Sequence, residues 1–200
     1  STTERTTMNI FYLDSDPKTC AEYHCDKHVV KMIIEYAQLM STAHRVLDGE
    51  EYNDTTSNGR KIKRWRMKDE KYENGLMKAS HVNHPSSVWT RQSKQNYIWL
   101  NQMWNYLLAE YTRRYGKHHA CENYRDVLYV DPVNIPNSNF AEPPPAMPDY
   151  CKVPNDSIMS YKKYYINEKS GFARWTNRST PWWFVQQKTL SEERVFENII

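Results

Sequence analysis

Seven polar residues step by four and three along one stretch of the chain: His24, His28, Lys31, Glu35, Gln38, Thr42 and Arg45. At helical spacing they fall on one face. Three kinds of chemistry fit the first four. As an acid–base or covalent set acting on a nucleic-acid base or sugar, Glu35 would steady a developing oxocarbenium ion or activate water. His28 would move protons beside His24, and Lys31, once desolvated, would attack a sugar C1′. As a metal site, His24 and His28 stand one turn apart as two ligands on a helix would, with His81 or His84 to complete the set. No HExxH motif or cysteine cluster accompanies them, so no metal and no cofactor is expected. As a structural network, the same side chains would pair with one another and hold helix positions.

The element that must carry this line runs from Cys20 to Leu47, contains no Gly or Pro, and reads as one long helix. Its apolar lines, Val30, Ile33, Ala37, Met40, Leu47 and Val29, Met32, Tyr36, Leu39, Ala43, Val46, cover most of the circumference. A helix this apolar belongs between other elements, with its polar line facing either a cleft or solvent.

A second long helix begins at His84-Pro85 and ends at Tyr115, before Gly116. Two histidines, His81 and His84, gather at its N-terminus with Arg91 one to two turns on, an arrangement suited to a phosphate or carboxylate. Its aromatic line, from Trp89 through Tyr97 and Trp104 to Tyr115, reads as core, with Asn96 outside it. Between the two helices, Asp48 to Gly59 reads as a loop. Arg60 to Lys71 is the densest basic cluster, with Trp65 among Lys61, Lys63, Arg64 and Arg66. Such a cluster fits phosphate contact plus base stacking, and equally a solvated surface.

Residues 1–7 read as a loose tail and Met8 to Leu13 as a short strand, leaving residues 8–130 as a helical core completed by a shorter helix from His118 to Val130. Seven of the ten prolines fall between Asp131 and Asn155, so residues 131–155 form an extended Pro-rich arm wrapping the body. Residues 156–200 return to the same domain, with a helix from Asp156 to Lys169, a segment in which Arg174, Trp175, Arg178, Trp182 and Trp183 interleave, and a short helix from Leu190 to Ile200. Those arginines and tryptophans fit either a grip on nucleic acid or the packing of the arm onto the helices. The fold class is mainly α: a compact helical domain built on two long helices, with a short N-terminal strand and the arm.

Composition agrees, with 5 Gly against 15 Tyr and 7 Trp. A net charge of +3 excludes a polycation, so contact with nucleic acid must come from local patches. Cys20, Cys25, Cys121 and Cys151 show no metal or redox spacing and, with no leader ahead of them, are expected to be reduced thiols in a cytosolic protein. No apolar run is long enough for a membrane span, and no membrane partner is expected.

The runs MNIFYLDSDP, HCDKHVVKMIIEYAQLMSTAHRVLDG, HVNHPSSVW, EPPPAMPDYCKVP and YKKYYINEKSGFARWTNRSTPWWF together resemble a family of uncharacterised proteins of tailed phages of the T4-like and cyanophage type. More distantly, the order of elements is similar to that of the pyrimidine-dimer DNA glycosylases of the endonuclease V type. These are small helical enzymes with a catalytic glutamate on an early helix and an aromatic, basic C-terminal segment on DNA. The resemblance implies Glu35 as that glutamate, Tyr164-Tyr165 with Trp175, Arg178, Trp182 and Trp183 as the aromatic tail, and DNA as the partner. One departure stands out. The family's nucleophile is the α-amine of an N-terminal threonine, whereas here a tail from Ser1 precedes Met8, and its amine is not expected to reach the cleft. Either the chain is a glycosylase without lyase activity, or Lys31 or Lys27 replaces the amine, or the chemistry differs.

The expectation is therefore a phage DNA-base-processing enzyme in the cytoplasm of the infected host cell, a glycosylase flipping a damaged or modified pyrimidine. Its candidate catalytic residues are Glu35, Lys31, His28 and His24. Its candidate DNA contacts are His84, Arg91, Asn96, Arg174, Trp175, Arg178 and Trp182. The alternatives are a non-catalytic protein that binds nucleic acid or a host protein, and a histidine-ligated metalloenzyme.

Overall fold

The stretch expected as one helix from Cys20 is two. In the computed structural model, which describes residues 8–185, α1 spans Pro17–Tyr23 and α2 spans Asp26–Asp48. His24 and Cys25 between them are extended. No Gly or Pro marks the break, because distant groups hold it open. Arg114 donates to the His24 carbonyl at 2.7 Å, the Cys25 N–H reaches the Tyr165 hydroxyl, and the Asp26 N–H reaches the Arg174 carbonyl at 2.8 Å. Backbone groups that a continuous helix would pair internally are paired here by residues 90 to 150 positions away.

The second long helix is also divided. α4 (Pro85–Gln92) stops at Ser93, whose extended backbone and hydroxyl start α5 (Lys94–Tyr115), and Gly116 ends α5 with φ +68°. α2 packs against both α4 and α5, and α5 against α1. Their shared core holds Tyr36, Leu39, Leu100 and Trp104, the last donating its indole N–H to the Ile33 carbonyl at 2.9 Å.

Met8–Leu13 is no strand. It is extended and buried, but its backbone meets side chains instead of a neighbouring strand: the Phe11 N–H donates to the Tyr36 hydroxyl and the Cys20 thiol to the Phe11 carbonyl, each at 3.1 Å. Strand propensity here reflects burial on all sides. The segment expected as loop and basic cluster is a hairpin, β1 (Glu50–Thr55) and β2 (Lys61–Arg66), antiparallel with Glu50 opposite Arg66 and Thr55 opposite Lys61. It leaves α2 at Gly49, where a Cβ would sit 2.5 Å from the Arg45 carbonyl oxygen. From α2, the buried Arg45 holds the hairpin in place. It donates to the carbonyls of Met77, Trp65, Glu73 and Leu76 and pairs with the Glu73 carboxylate on α3 (Glu70–Gly75) at 2.6 Å.

The region expected as a helix over His118 to Val130 is a 3₁₀ turn, Ala120–Tyr124, followed by α6, Arg125–Tyr129. The Pro-rich run then lies extended along α4 and α5, with the Lys94 N–H on the Pro136 carbonyl and the Trp89 indole on the Ala141 carbonyl, each at 2.8 Å. α7 (Ser157–Tyr164), capped by Asp156, continues into a wider π-helical turn over Tyr165–Lys169 that carries Tyr165 into the core. The fold is mainly α, the hairpin being the one sheet among the described residues. The tail at residues 1–7 and the helix expected from Leu190 to Ile200 lie outside the described residues.

Candidate active site

The polar line, with His24 in the break between α1 and α2 and the rest on α2, divides by what each side chain already holds. His24 is fully buried and fully paired: its Nδ1–H donates to the Cys20 carbonyl, and its Nε2 accepts from the Tyr36 hydroxyl, both at 2.7 Å. Burial lowers its pKa to about 4, so it is neutral at physiological pH. This corrects its placement among the catalytic residues. His24 caps α1 and orients Tyr36, and it has no nitrogen left for a metal or a substrate.

His28 is similarly enclosed, its ring stacked on Phe11 at 4.1 Å and edged by Phe172. The Tyr165 hydroxyl accepts from the Cys25 N–H, which leaves its hydrogen for His28 Nδ1 at 2.6 Å. Burial first, then His24, Lys169, Lys31 and Lys27, hold the His28 pKa well below the usual imidazole range. A proton-donating imidazolium is therefore not available at this position near neutral pH. At the far end of the line, Thr42 bonds Ser80 and Arg45 is the hub of the hairpin network.

Glu35 differs from all of these. Its Oε2 is buried with no hydrogen-bond partner, and burial raises its pKa while Lys31, one turn away, pulls the other way. A desolvated carboxylate oxygen without a partner is costly in a fold, and a side chain that carries one is a candidate acid, base or charge stabiliser. Lys31 is exposed. Glu35 borders a strip of α2 that is open to solvent, Lys27, Val30, Lys31 and Ile34, which corrects the placement of Val30 in the core. Lys27 and Lys169 crown the strip's N-terminal end, over Phe172 at 4.4 Å and 5.8 Å from the ring centre.

Three further buried oxygens lack partners, and periodicity gave no signal for them. Asn9 Oδ1 lies on the buried N-terminal segment, and Ser86 Oγ and Ser87 Oγ lie in the first turn of α4. Both segments pack on α2, as the Phe11–Tyr36 bond and the α2–α4 contact demonstrate.

The expected DNA contacts also separate. Asn96 is fully buried, donating to the Trp89 carbonyl and accepting from the Ala141 N–H, each at 2.9 Å; it fastens the arm. Trp175 is buried with its indole N–H on the Tyr23 carbonyl. Arg178 forms a two-pronged pair with the buried Glu110, which also receives Arg114. Burial alone would raise the Glu110 pKa, but hydrogen bonds from Arg178 and Arg114 overcome it and hold the carboxylate below its usual range. Asn96 and Trp175 are thus buried in contacts within the fold, and Arg178, partly exposed, is paired with Glu110.

His84 caps α4 by accepting the Ser86 N–H, and Arg91 donates to the Val82 carbonyl at 2.7 Å, so both shape the turn that starts α4. Arg174 and Trp182 point outward, Trp182 with 66% of its surface exposed. Among the described residues, no three His, Cys, Asp or Glu side chains converge as metal ligands, and no helix is long and apolar enough to cross a membrane.

Comparison with known proteins adds one finding. A family model described as pyrimidine dimer DNA glycosylase matches residues 8–123, more than half of the 200. The match takes in the N-terminal segment, α1 to α5 and the hairpin, and with them Glu35 and Lys31, while Arg174 to Trp182 fall beyond it. No curated protein matches, and no solved structure does.

Proposed function

The chain belongs to the pyrimidine dimer DNA glycosylase family, and from that premise we propose that it removes a damaged or modified pyrimidine from DNA with Glu35 as the catalytic carboxylate. The observation that carries the assignment is the buried, unpaired Oε2 of Glu35 beside an otherwise exposed strip of α2. A flipped nucleotide laid on that strip meets apolar surface from Val30 and Ile34 and ammonium groups from Lys27 and Lys31. The base leaves with the electrons of the C1′–N bond and is protonated from solvent. Water adds at C1′ and gives its proton to Glu35, whose charge steadies the cationic sugar as the bond breaks. The product is an abasic site.

This route needs no amine, and it suits the position of Lys31, because an exposed ammonium holds a phosphate whereas a lysine nucleophile works from a desolvated pocket. His28 supports the site without titrating in it, through Phe11 and Tyr165. The runs that resemble phage proteins make an enzyme of infected host cytoplasm the setting we favour.

The test is incubation with labelled duplexes carrying an ultraviolet photoproduct, a hydroxymethylated pyrimidine or an undamaged control, read on a denaturing gel with and without alkali. Alkali-revealed cleavage by the native chain is expected, falling at least about 100-fold in Glu35→Gln with DNA affinity nearly unchanged. Full activity in Glu35→Gln would remove the carboxylate from the mechanism. Retained binding with no cleavage of any substrate by the native chain would favour a non-catalytic DNA-binding protein.

A further inference from the structure

The hairpin and the segment leading into α4 enclose a groove of about 540 Å³ on the opposite end of α2 from His28. One wall is the hairpin, where Lys61, Lys63 and Trp65 share one face of β2 and Ile62 lies between the two lysines. His81, Asn83 and Arg91 form the other. Three permanent cations therefore line the groove against one carboxylate, Glu51, which lies 3.3 Å from Lys63. The walls are braced. Arg64 donates to the Ala79 carbonyl, Arg45 to that of Trp65, Arg91 to that of Val82, and Thr42 and Ser80 bond each other. Cations held on a braced scaffold around a half-buried indole form a surface complementary to a sugar–phosphate backbone.

The groove also lies in register with Glu35. Val46, which lines it, follows Glu35 by 11 positions on α2. At 100° per residue the two side chains are only about 20° apart around the helix axis, and about 16 Å apart along it. That distance is close to five steps of duplex DNA at roughly 3.4 Å each.

We propose that this groove is a second DNA site, gripping the backbone of the duplex about five base pairs to one side of the nucleotide held at Glu35. The proposal rests on the reading of Glu35 as the base-removing centre for its register, but not for its charge. It assigns the hairpin, whose lysines take no part in the site around Glu35, the job of setting the line of the duplex across α2.

The test uses fluorescence anisotropy of a 21-base-pair duplex with a stable abasic analogue at its centre, titrated with protein over a range of KCl concentrations. The double variant Lys61→Ala/Lys63→Ala should lose about 1.8 from the slope of log affinity against log salt, which is roughly 60-fold in affinity at 0.1 M. Glu51→Gln should bind more tightly than the native chain, since it removes the groove's carboxylate and frees Lys63. Trimming the duplex to three base pairs on the side that reaches the groove should make native and double-variant proteins bind alike, while trimming the other side should not. Thermal melting checks that both variants fold. An unchanged slope on the long duplex would overturn the proposal, and so would an equal loss on both trimmed duplexes, which would mean general charge and not a placed contact. Absence of any preference for the abasic duplex would count against base removal at Glu35 and against the five-step register together. The slope on undamaged duplex would still decide whether the groove holds DNA.

Discussion

Lowering the pH from 7 to 5 should destabilise the fold by an amount that the buried histidines set. His24 titrates near 4 in the folded chain against 6.5 when exposed, because burial disfavours its imidazolium. The unfolded chain therefore binds the extra proton first. Stability is complete above about pH 6.5, begins to fall as the pH drops through that value, and stops falling near pH 4, where the folded form is protonated as well. Between pH 7 and pH 5 the difference is about 2 kcal/mol from His24. His44, buried and likewise lowered to about 4, adds a similar amount, and His28, also held well below the usual imidazole range by burial, adds to it in the same direction. Glu35 acts with the opposite sign, since a carboxyl whose pKa is raised on folding is relieved as it protonates. The structural cause at His24 is specific. A proton on Nε2 would face the Tyr36 hydroxyl, which already accepts from the Phe11 N–H, so the tyrosine's own hydrogen would lose its acceptor. Urea unfolding at pH 7 and pH 5 measures the total, and His24→Gln isolates the residue. The variant should be less stable at pH 7 yet lose about 2 kcal/mol less than the native chain on acidification. A variant with an unaltered pH dependence would refute the assignment of His24 as a neutral, buried hydrogen-bond centre.

Arg45→Met should cost about 3–5 kcal/mol in urea unfolding, because it strands the Glu73 carboxylate and four carbonyls beneath the hairpin, and it should open the chain to proteolysis between residues 50 and 76. A smaller loss with the hairpin still protected would show that β1 and β2 are held by their own contacts. Arg178→Ala should lower stability by about 1–2 kcal/mol while leaving the salt dependence of DNA binding unchanged, since its guanidinium is committed to Glu110. A drop in the salt slope of about 0.9 would restore Arg178 to the DNA surface.

The two long helices were legible from periodicity, and their interruptions were not, for a physical reason that is the same in both. At His24-Cys25 and at Ser93 the chain leaves the helix without Gly or Pro because its free backbone groups find partners supplied by Arg114, Tyr165, Arg174 and the Pro-rich run. Nothing within a helical turn of His24-Cys25 encodes that, whereas at Ser93 a local signal exists, the serine hydroxyl that accepts the Asn96 N–H. The hairpin was hidden differently: β2 alternates lysine and arginine with Ile62 and Trp65, so its pattern of charge reads as a solvated surface, and its anchor, Arg45, sits in another element. Asp156 and Gly116, whose caps depend only on their nearest neighbours, were readable from the sequence directly.

The same distinction between local and distant partners sorts the candidate site. Periodicity placed His24, His28, Lys31, Glu35, Thr42 and Arg45 on one line, but a face of a helix carries no information about which of its polar groups is already satisfied. Pairing decides that, and it depends on Tyr36, Tyr165, Ser80 and Glu73. Once those partners are in place, His24, Thr42 and Arg45 become parts of the scaffold, and Glu35 is left with a buried oxygen that nothing in the protein meets. A fold tolerates an unpaired buried carboxyl when something outside it completes the pairing. On the reading proposed above, the group with the right charge is the cationic sugar that forms as a base departs. On that reading the partner of the Glu35 oxygen is the substrate, and replacing Glu35 with leucine should stabilise the free protein by about 1 kcal/mol in the same step that ends turnover, whereas a leucine variant that keeps its activity would refute the reading.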